Sequence, residues 1–262
     1  TAQLYWLSEW LRRHSGRIAR DAAEDWQLLS TAFGEPVAEA YRDGMKILWR
    51  ITEPERPTHA DQNTTNRKWS SVLSLVGLAI EANEDANWPK HLTDVEAERA
   101  ALHACLSEEG YFDWFTSLAE THPDKTLPAL KRELRREWVG RSHGYPLLFS
   151  HFCHTDDRTL SVLKDTLFDV IVRHDPVGRE VHQFARTVMY RLDLDDKQKR
   201  RMASRARTRL LDGGIADDED LVRHYIGVLF LSDPDGATEE LSAWLQRIPP
   251  SDRQAQSMRV LA

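Results

Sequence analysis

The feature that most constrains this chain is a Pro-containing turn that follows an apolar helical run at three places. Residues 115–123, 167–176 and 228–234 each carry an apolar run that ends in a short polar turn with Pro. After each Pro, apolar residues return at helical spacing. Pro fixes φ and has no N–H to lose in the first turn of a helix, so each stretch predicts a helix, a tight turn and a second helix. The chain is therefore predicted to be an array of helical hairpins.

The spacing of these turns bears on the kind of array. The turns contain Pro123, Pro176 and Pro234. Each interval between successive prolines is longer than one standard two-helix repeat, which has about 34–47 residues. Either the repeats are irregular or each interval contains an extra helix, and we favour irregular repeats. No run of alternating β-branched residues indicates a sheet. The predicted fold is all-α, an irregular HEAT/TPR-like array of antiparallel helical hairpins (an α-solenoid) with about eleven to thirteen helices.

The helical pattern divides the chain into three segments. Residues 1–54 predict an N-terminal helical segment, and residues 55–68 predict a polar loop because Ala60 is their only apolar residue besides Pro. Residues 69–262 predict the array of hairpins. Both ends of the chain carry apolar patterns, whereas natural termini are usually polar, so we expect the array to continue beyond residue 262 in a longer parent protein.

Local patterns predict individual helices. Within the N-terminal segment they favour helices near residues 4–12, 19–30 and 36–50. The longest apolar run, residues 72–80, is too short to span a membrane and predicts a buried helix, so no membrane partner is expected. Thr93 and Glu96 have the spacing of a capping box, which predicts a helix that begins there.

Composition limits the functional classes. Cys105 and Cys153 are the only cysteines, far apart and without a metal-type spacing, which favours a reducing, cytoplasmic setting. The net charge of −7 argues against a surface built wholly for nucleic acid, although a local basic patch remains open. The nine Trp residues mostly lie in apolar helical patterns and predict core packing; a base-stacking platform is the less favoured alternative.

The strongest charge feature is a basic run over residues 197–209, which contains no acid. On a helix, Ala203, Ala206 and Leu210 form a narrow inward stripe and leave the cations in solvent, where they could contact phosphates. The alternative is an ordinary solvated face, balanced by acidic residues before and after the run, an arrangement that the helix dipole also favours. The candidate phosphate or partner contacts are Lys197, Lys199, Arg200, Arg201, Arg205, Arg207 and Arg209.

Two further kinds of site were weighed and not favoured. One is a metal site, for which the sequence offers four borderline or soft ligands: His143, His151, Cys153 and His154. His151 and His154 can share a helical face, but Cys153 then lies on another face, so no metal site is predicted. Phosphate-binding loops, dinucleotide fingerprints, nucleophile elbows and HExxH motifs are missing from the sequence. We therefore predict no catalytic residues, no cofactor and no enzyme activity for this chain.

A family resemblance rests on three phrases of the sequence. The phrases are residues 32–44, residues 110–115 with the His-Pro at 122–123, and residues 244–253. They resemble the HEAT-like or TPR-like repeat regions of large bacterial proteins, which sit beside a NACHT or related STAND NTPase domain. Several such proteins are antiphage sensors. The resemblance implies a recognition or autoinhibitory segment next to another module. None of the family's nucleotide chemistry carries over, because its phosphate-binding motifs have no match here.

Three functional hypotheses follow. The leading one is a non-catalytic, sensor-like recognition or scaffold segment of a larger bacterial protein, for which the resemblance implies a role in antiphage defence. Its expected partner is another protein or a neighbouring domain of the same polypeptide. The second is a nucleic-acid-binding module that uses the basic helix 197–209. The third is a cryptic hydrolase, which requires His, Asp and Glu side chains to converge in a deep pocket.

Overall fold

The computed structural model describes residues 1–17, 22–54, 69–106, 113–140, 146–211 and 218–247. These residues form thirteen α-helices and no strand, which confirms the predicted all-α class for the described part of the chain. The helices are α1 (Ala2–His14), α2 (Leu28–Phe33), α3 (Glu35–Ile51), α4 (Trp69–Glu84), α5 (Asp94–Cys105), α6 (Asp113–Thr121), α7 (Pro123–Val139), α8 (Leu147–His154), α9 (Asp157–Arg173), α10 (Arg179–Arg191), α11 (Asp196–Leu211), α12 (Glu219–Ser232) and α13 (Pro234–Arg247). A 3-10 helix, Trp88–His91, lies between α4 and α5.

The chain divides into two compact units, Thr1–Leu130 (unit 1) and Lys131–Ala262 (unit 2). The predicted polar loop, residues 55–68, lies outside the described residues, as does the end of the predicted array, residues 248–262. None of the described helices has both the length and the apolar character needed to cross a membrane.

The core of unit 1 forms around α3 and α4. Every residue from Val72 to Ile80 is buried, which confirms the predicted buried helix. A Cβ atom at Gly77 would lie 2.2 Å from the backbone oxygen of Met45, so glycine is what lets α4 approach the α3 backbone this closely. Leu11 of α1 and Tyr41 of α3 are buried in the same cluster, so α1 closes this core.

Polar contacts fix the helices around this core. Arg50 of α3 makes ion pairs with Glu81 of α4 and, at 2.8 Å, with Glu96 of α5. Thr93 and Glu96 form the predicted capping box: Thr93 Oγ1 accepts the Glu96 N–H and the Glu96 carboxylate accepts the Thr93 N–H. One glutamate therefore both starts α5 and ties it to α3.

The predicted helix over residues 19–30 is wrong at residues 23–27, whereas residue 22 and residues 28–30 are helical. Residues 23–27 form turns, and α2 begins at Leu28. The Tyr41 hydroxyl donates a 2.9 Å hydrogen bond to the Ala23 carbonyl. A side chain distant in sequence thus takes the acceptor that a continuing helix would use for its own N–H.

The Pro-containing turns are confirmed with one change. Pro123 and Pro234 are the first residues of α7 and α13, as predicted. Pro176 instead lies in the connection before α10, and the chain turns at Gly178, which has a φ of +93° and precedes the first helical residue. The structure describes three helices after Pro123 (α7 to α9) and three after Pro176 (α10 to α12), so the extra-helix alternative fits better than the irregular repeats that we favoured.

In unit 2, α12 packs against α10, α11 and α13, and α9 packs against α10 and α11. Trp138 of α7 is completely buried: its ring centroid lies 5.0 Å from that of Phe149, and its Nε1 donates to the His174 carbonyl at 2.8 Å. Glu137 accepts the N–H groups of Leu148 and Phe149, which starts α8. Burial raises the pKa of Glu137 to about 7 although these two hydrogen bonds favour its ionised form.

Candidate functional site

The predicted basic run forms most of α11, and its inward stripe is where the sequence placed it. Ala203, Ala206 and Leu210 are buried, joined by Met202. The cations at the start of the run, Lys197, Lys199, Arg200 and Arg201, are exposed. The guanidinium of Arg201 lies over the ring of Phe168, 5.6 Å from its centroid.

The second half of the run is held by ion pairs. Arg205 and Arg209 both contact Asp175, and Arg207 contacts Asp233 and Glu240. These acids are not the ones that flank the run in sequence. Asp175 lies in the connection between α9 and α10, Asp233 lies between α12 and α13, and Glu240 lies within α13. The structure therefore separates the seven candidate cations into groups with different surroundings.

Asp175 is the centre of a small polar network. Besides the two arginines, the Tyr225 hydroxyl donates a hydrogen bond to its carboxylate. Burial alone raises the pKa of Asp175, but the hydrogen bonds from Tyr225 and Arg209, together with the charges of Arg209 and Arg205, outweigh burial, so the pKa lies below its usual range. Conversely, burial and the Asp175 charge raise the pKa of Tyr225. The carboxylate is thus ionised and shared by two arginines at neutral pH.

A second acid of unit 2 is also shared by cations from different helices. Asp169 of α9 contacts Lys131 of α7 and Arg173 of its own helix. Burial raises the pKa of Asp169, but Lys131, Arg173 and Arg201 together hold it below its usual range. Arg135, one helical turn after Lys131, lies close enough to His174 to help burial lower the pKa of that histidine.

We call the resulting group of cations the three-helix basic surface. Its members come from α7, α9 and α11 and lie around Asp169, His174 and Asp175: Lys131, Arg135, Arg173, Arg201, Arg205 and Arg209. The predicted run included only the last three. Sequence reasoning missed the others because they belong to separate helices, although the four cations in residues 131–136 were a local signal.

Unit 1 carries a different kind of feature, a group of partly exposed rings that we call the aromatic surface. Its residues are Trp6, Trp10 and His14 of α1 and Phe33 of α2. The ring centroid of Phe33 lies 5.6 Å from that of Trp6 and 5.0 Å from that of Trp10, and the rings of Trp10 and His14 are stacked at 4.2 Å. Trp6 is 56% exposed and Phe33 is 37% exposed. Core packing was predicted for most Trp residues and is confirmed for Trp49, Trp88, Trp114 and Trp138, but not for Trp6 and Trp69, which are exposed.

The residues weighed as metal ligands do not form a site in the described part of the chain. His143 lies outside the described residues, and no group of three or more His, Cys, Asp or Glu side chains among those described could hold a metal ion. The Cys153 thiol is free and donates to the Phe184 carbonyl at 3.5 Å. Cys105 is buried and forms no disulfide among the described residues.

Comparison with protein-family models, with curated proteins and with solved structures finds no match to this chain.

Proposed function

We propose that this chain is a non-catalytic recognition segment, with a solenoid-like arrangement of helical hairpins, in a larger cytoplasmic bacterial protein of the antiphage-sensor type. It binds a protein partner, or a neighbouring domain of the same polypeptide, through the aromatic surface of unit 1. The observation that carries the proposal is the exposure of Trp6 and Phe33 on helices whose other faces are packed into a core.

The aromatic surface has the chemistry of a binding hot spot. Trp and other large rings supply much contact area at a low cost in side-chain entropy, and they dominate the binding energy of protein interfaces. Here the rings are held by their mutual contacts and by the buried side of α1, where Leu11 is fully buried. A partner therefore meets a surface that is already ordered, which reduces the entropy lost on binding.

The charge beside these rings indicates the partner's chemistry. The last turn of α1 carries Arg12, Arg13 and His14, followed by Arg17, with no acid in this stretch. Arg13 and Arg17 are exposed. Arg13 follows Trp10 by three residues on α1, so a positive charge lies on the same helical face as that ring. Opposite charges at the rim of an interface speed association and select the partner. We therefore expect a partner segment with a large apolar side chain flanked by Asp or Glu.

The experiment places a photo-crosslinking amino acid at Arg13 in the parent protein, in cells, and compares three backgrounds. The wild-type sequence should give a discrete protein adduct whose crosslinked segment is apolar with acidic flanks. Trp6→Ala should reduce its yield, and should weaken binding of the corresponding synthetic peptide by about tenfold or more, because a central ring is lost. Tyr190→Ala removes a ring that is 79% exposed but lies in unit 2, and should change neither quantity.

Two results would reject the proposal. An adduct whose yield is the same in the Trp6→Ala and Tyr190→Ala backgrounds would show that Arg13 meets its neighbour without help from the aromatic surface. An adduct between two copies of the chain, lost with Trp6→Ala, would assign the surface to self-association instead.

A further inference from the structure

The three-helix basic surface has an excess of positive charge that the acidic composition of the chain does not lead one to expect. The chain as a whole carries a net charge of −7. Around Asp169, His174 and Asp175, however, the structure gathers six cations, so positive charges exceed the two carboxylates by four. His174 lies among them with its pKa lowered, first by burial and then by Arg135 and Arg173, so it adds little charge at neutral pH. Such a local excess attracts anions.

The cations on this surface are ordered yet keep capacity to bind. Each of the two carboxylates is shared by two or more cations. A guanidinium has five N–H donors, more than one carboxylate can accept, so a pair with Asp does not exhaust its capacity to bind an anion. Lys131 and Arg173 are 46% and 58% exposed. The carboxylates therefore act as supports that fix the direction of the cations, which lowers the entropy lost on binding.

The spacing of the cations fits a chain of phosphates. Arg201, Arg205 and Arg209 follow one another at four-residue intervals along α11, which places them about 6 Å apart along the helix axis. Lys131 and Arg135 repeat the same interval on α7. Two short rows of evenly spaced cations suit a regularly charged polymer better than a single small anion.

The burial of the aromatic rings at this surface indicates a double-stranded rather than a single-stranded ligand. Proteins that bind single strands stack the bases on exposed aromatic side chains. Phe168 is buried beneath Arg201, and Tyr225 is buried with its hydroxyl on Asp175, so neither ring presents a face to a base. The arrangement offers contacts to the backbone alone, which position a duplex without reading its sequence.

We infer that the three-helix basic surface binds the phosphate backbone of double-stranded nucleic acid, independently of sequence. This differs from binding by the whole run 197–209, because it adds residues of α7 and α9 and omits Lys197, Lys199, Arg200 and Arg207. It uses unit 2 only and shares no residue with the aromatic surface.

Fluorescence anisotropy of a short labelled DNA duplex, titrated with the protein at several salt concentrations, tests the inference. The wild-type protein should bind at low salt, and its affinity should fall steeply as salt rises, since phosphate contacts release counterions. Lys131→Ala combined with Arg173→Ala should weaken binding by roughly tenfold and reduce the slope of log K against log salt by about 2. Arg201 stays beside Asp169 in this variant, so the acid keeps a cation, and circular dichroism confirms folding.

The matched control removes two exposed cations of the same unit that lie outside the surface. Lys199→Ala combined with Arg200→Ala changes the net charge equally, and binding and slope should stay close to wild type. Trp6→Ala should also leave duplex binding unchanged, which separates this inference from the proposed function.

Three results would overturn the inference. They are a wild-type protein that does not bind the duplex at low salt, a loss of binding that is equal in the two double variants, and tighter binding of polyglutamate than of the duplex. The last result would assign the surface to an acidic protein.

Discussion

His224 shows how burial alters the chemistry of one residue in unit 2. Its ring packs against Trp138 and His182, with centroid distances of 5.8 and 5.1 Å, and its Nδ1 has no hydrogen-bond partner among the described residues. Burial lowers the pKa of His224 to about 3; His182 and Arg186 lower it further and Asp175 opposes them. The charged form is disfavoured only in the folded protein, so protonation favours unfolding.

The expected consequence is a loss of stability in acid that His224→Phe removes. Above pH 6.5, the ordinary pKa, the ring is neutral in both states and the free energy of unfolding does not depend on its titration. As the pH falls from 6.5 towards 3, the wild type should lose up to about 1.4 kcal/mol per pH unit relative to the variant. Urea unfolding over this pH range measures the difference.

The control for this prediction is Tyr190→Phe, a change to an exposed ring of the same unit that should keep the wild-type dependence on pH. Other groups, such as Asp175, also titrate in acid, but they contribute equally to wild type and variant. A difference between wild type and His224→Phe that stays constant with pH would show that the buried ring is not the source.

At the scale of the helices, Gly77 sets how closely α4 approaches α3. An added Cβ would lie 2.2 Å from the Met45 oxygen, a backbone atom that cannot rotate away. We expect Gly77→Ala to lower the free energy of unfolding by about 1–3 kcal/mol or more, measured by urea unfolding, because the two helices must separate. Gly227→Ala is the control: its Cβ would lie 3.2 Å from Arg186 Cδ, a flexible side chain, so stability should stay equal or rise by up to about 1 kcal/mol. Equal losses in the two variants would contradict this account of the packing.

The helices that could be predicted from sequence are those with local causes. Pro123 and Pro234 begin helices because Pro suits the first turn, and Thr93 with Glu96 begins α5 because both partners of the capping box lie within one turn. Residues 23–27 were mispredicted because the Ala23 carbonyl bonds to Tyr41, a partner supplied only by the folded core. Local patterns carry no information on such contacts.

At the scale of the whole molecule, the same limit applies to the candidate sites. The basic character of α11 was visible in the sequence. Which of its cations are ion-paired and which are exposed was not, because that depends on Asp175, Asp233 and Glu240, which are distant in sequence. The addition of α7 and α9 to the surface depends on Asp169, which no motif singled out. The exposure of Trp6 depends likewise on which face of α1 meets the core. Composition predicts that such residues exist, and packing decides where they meet.

The division into two compact units leads to a last prediction, that each core can be weakened separately. Unit 1 has a buried cluster around Tyr41, Met45 and Leu73, and unit 2 has its own buried residues around Trp138 and α12. A compact unit with its own core can open as a cooperative unit.

Gly77→Ala should therefore reduce hydrogen-exchange protection in α3 and α4 while α12 keeps wild-type protection. His224→Phe, at a pH where the ring is neutral in wild type, should change protection in α12 and leave α3 and α4 unaffected. Mass spectrometry of exchanged peptides resolves both regions in one experiment. If either variant lowers protection equally in both, the two units unfold as one, and the separate cores have no separate stability.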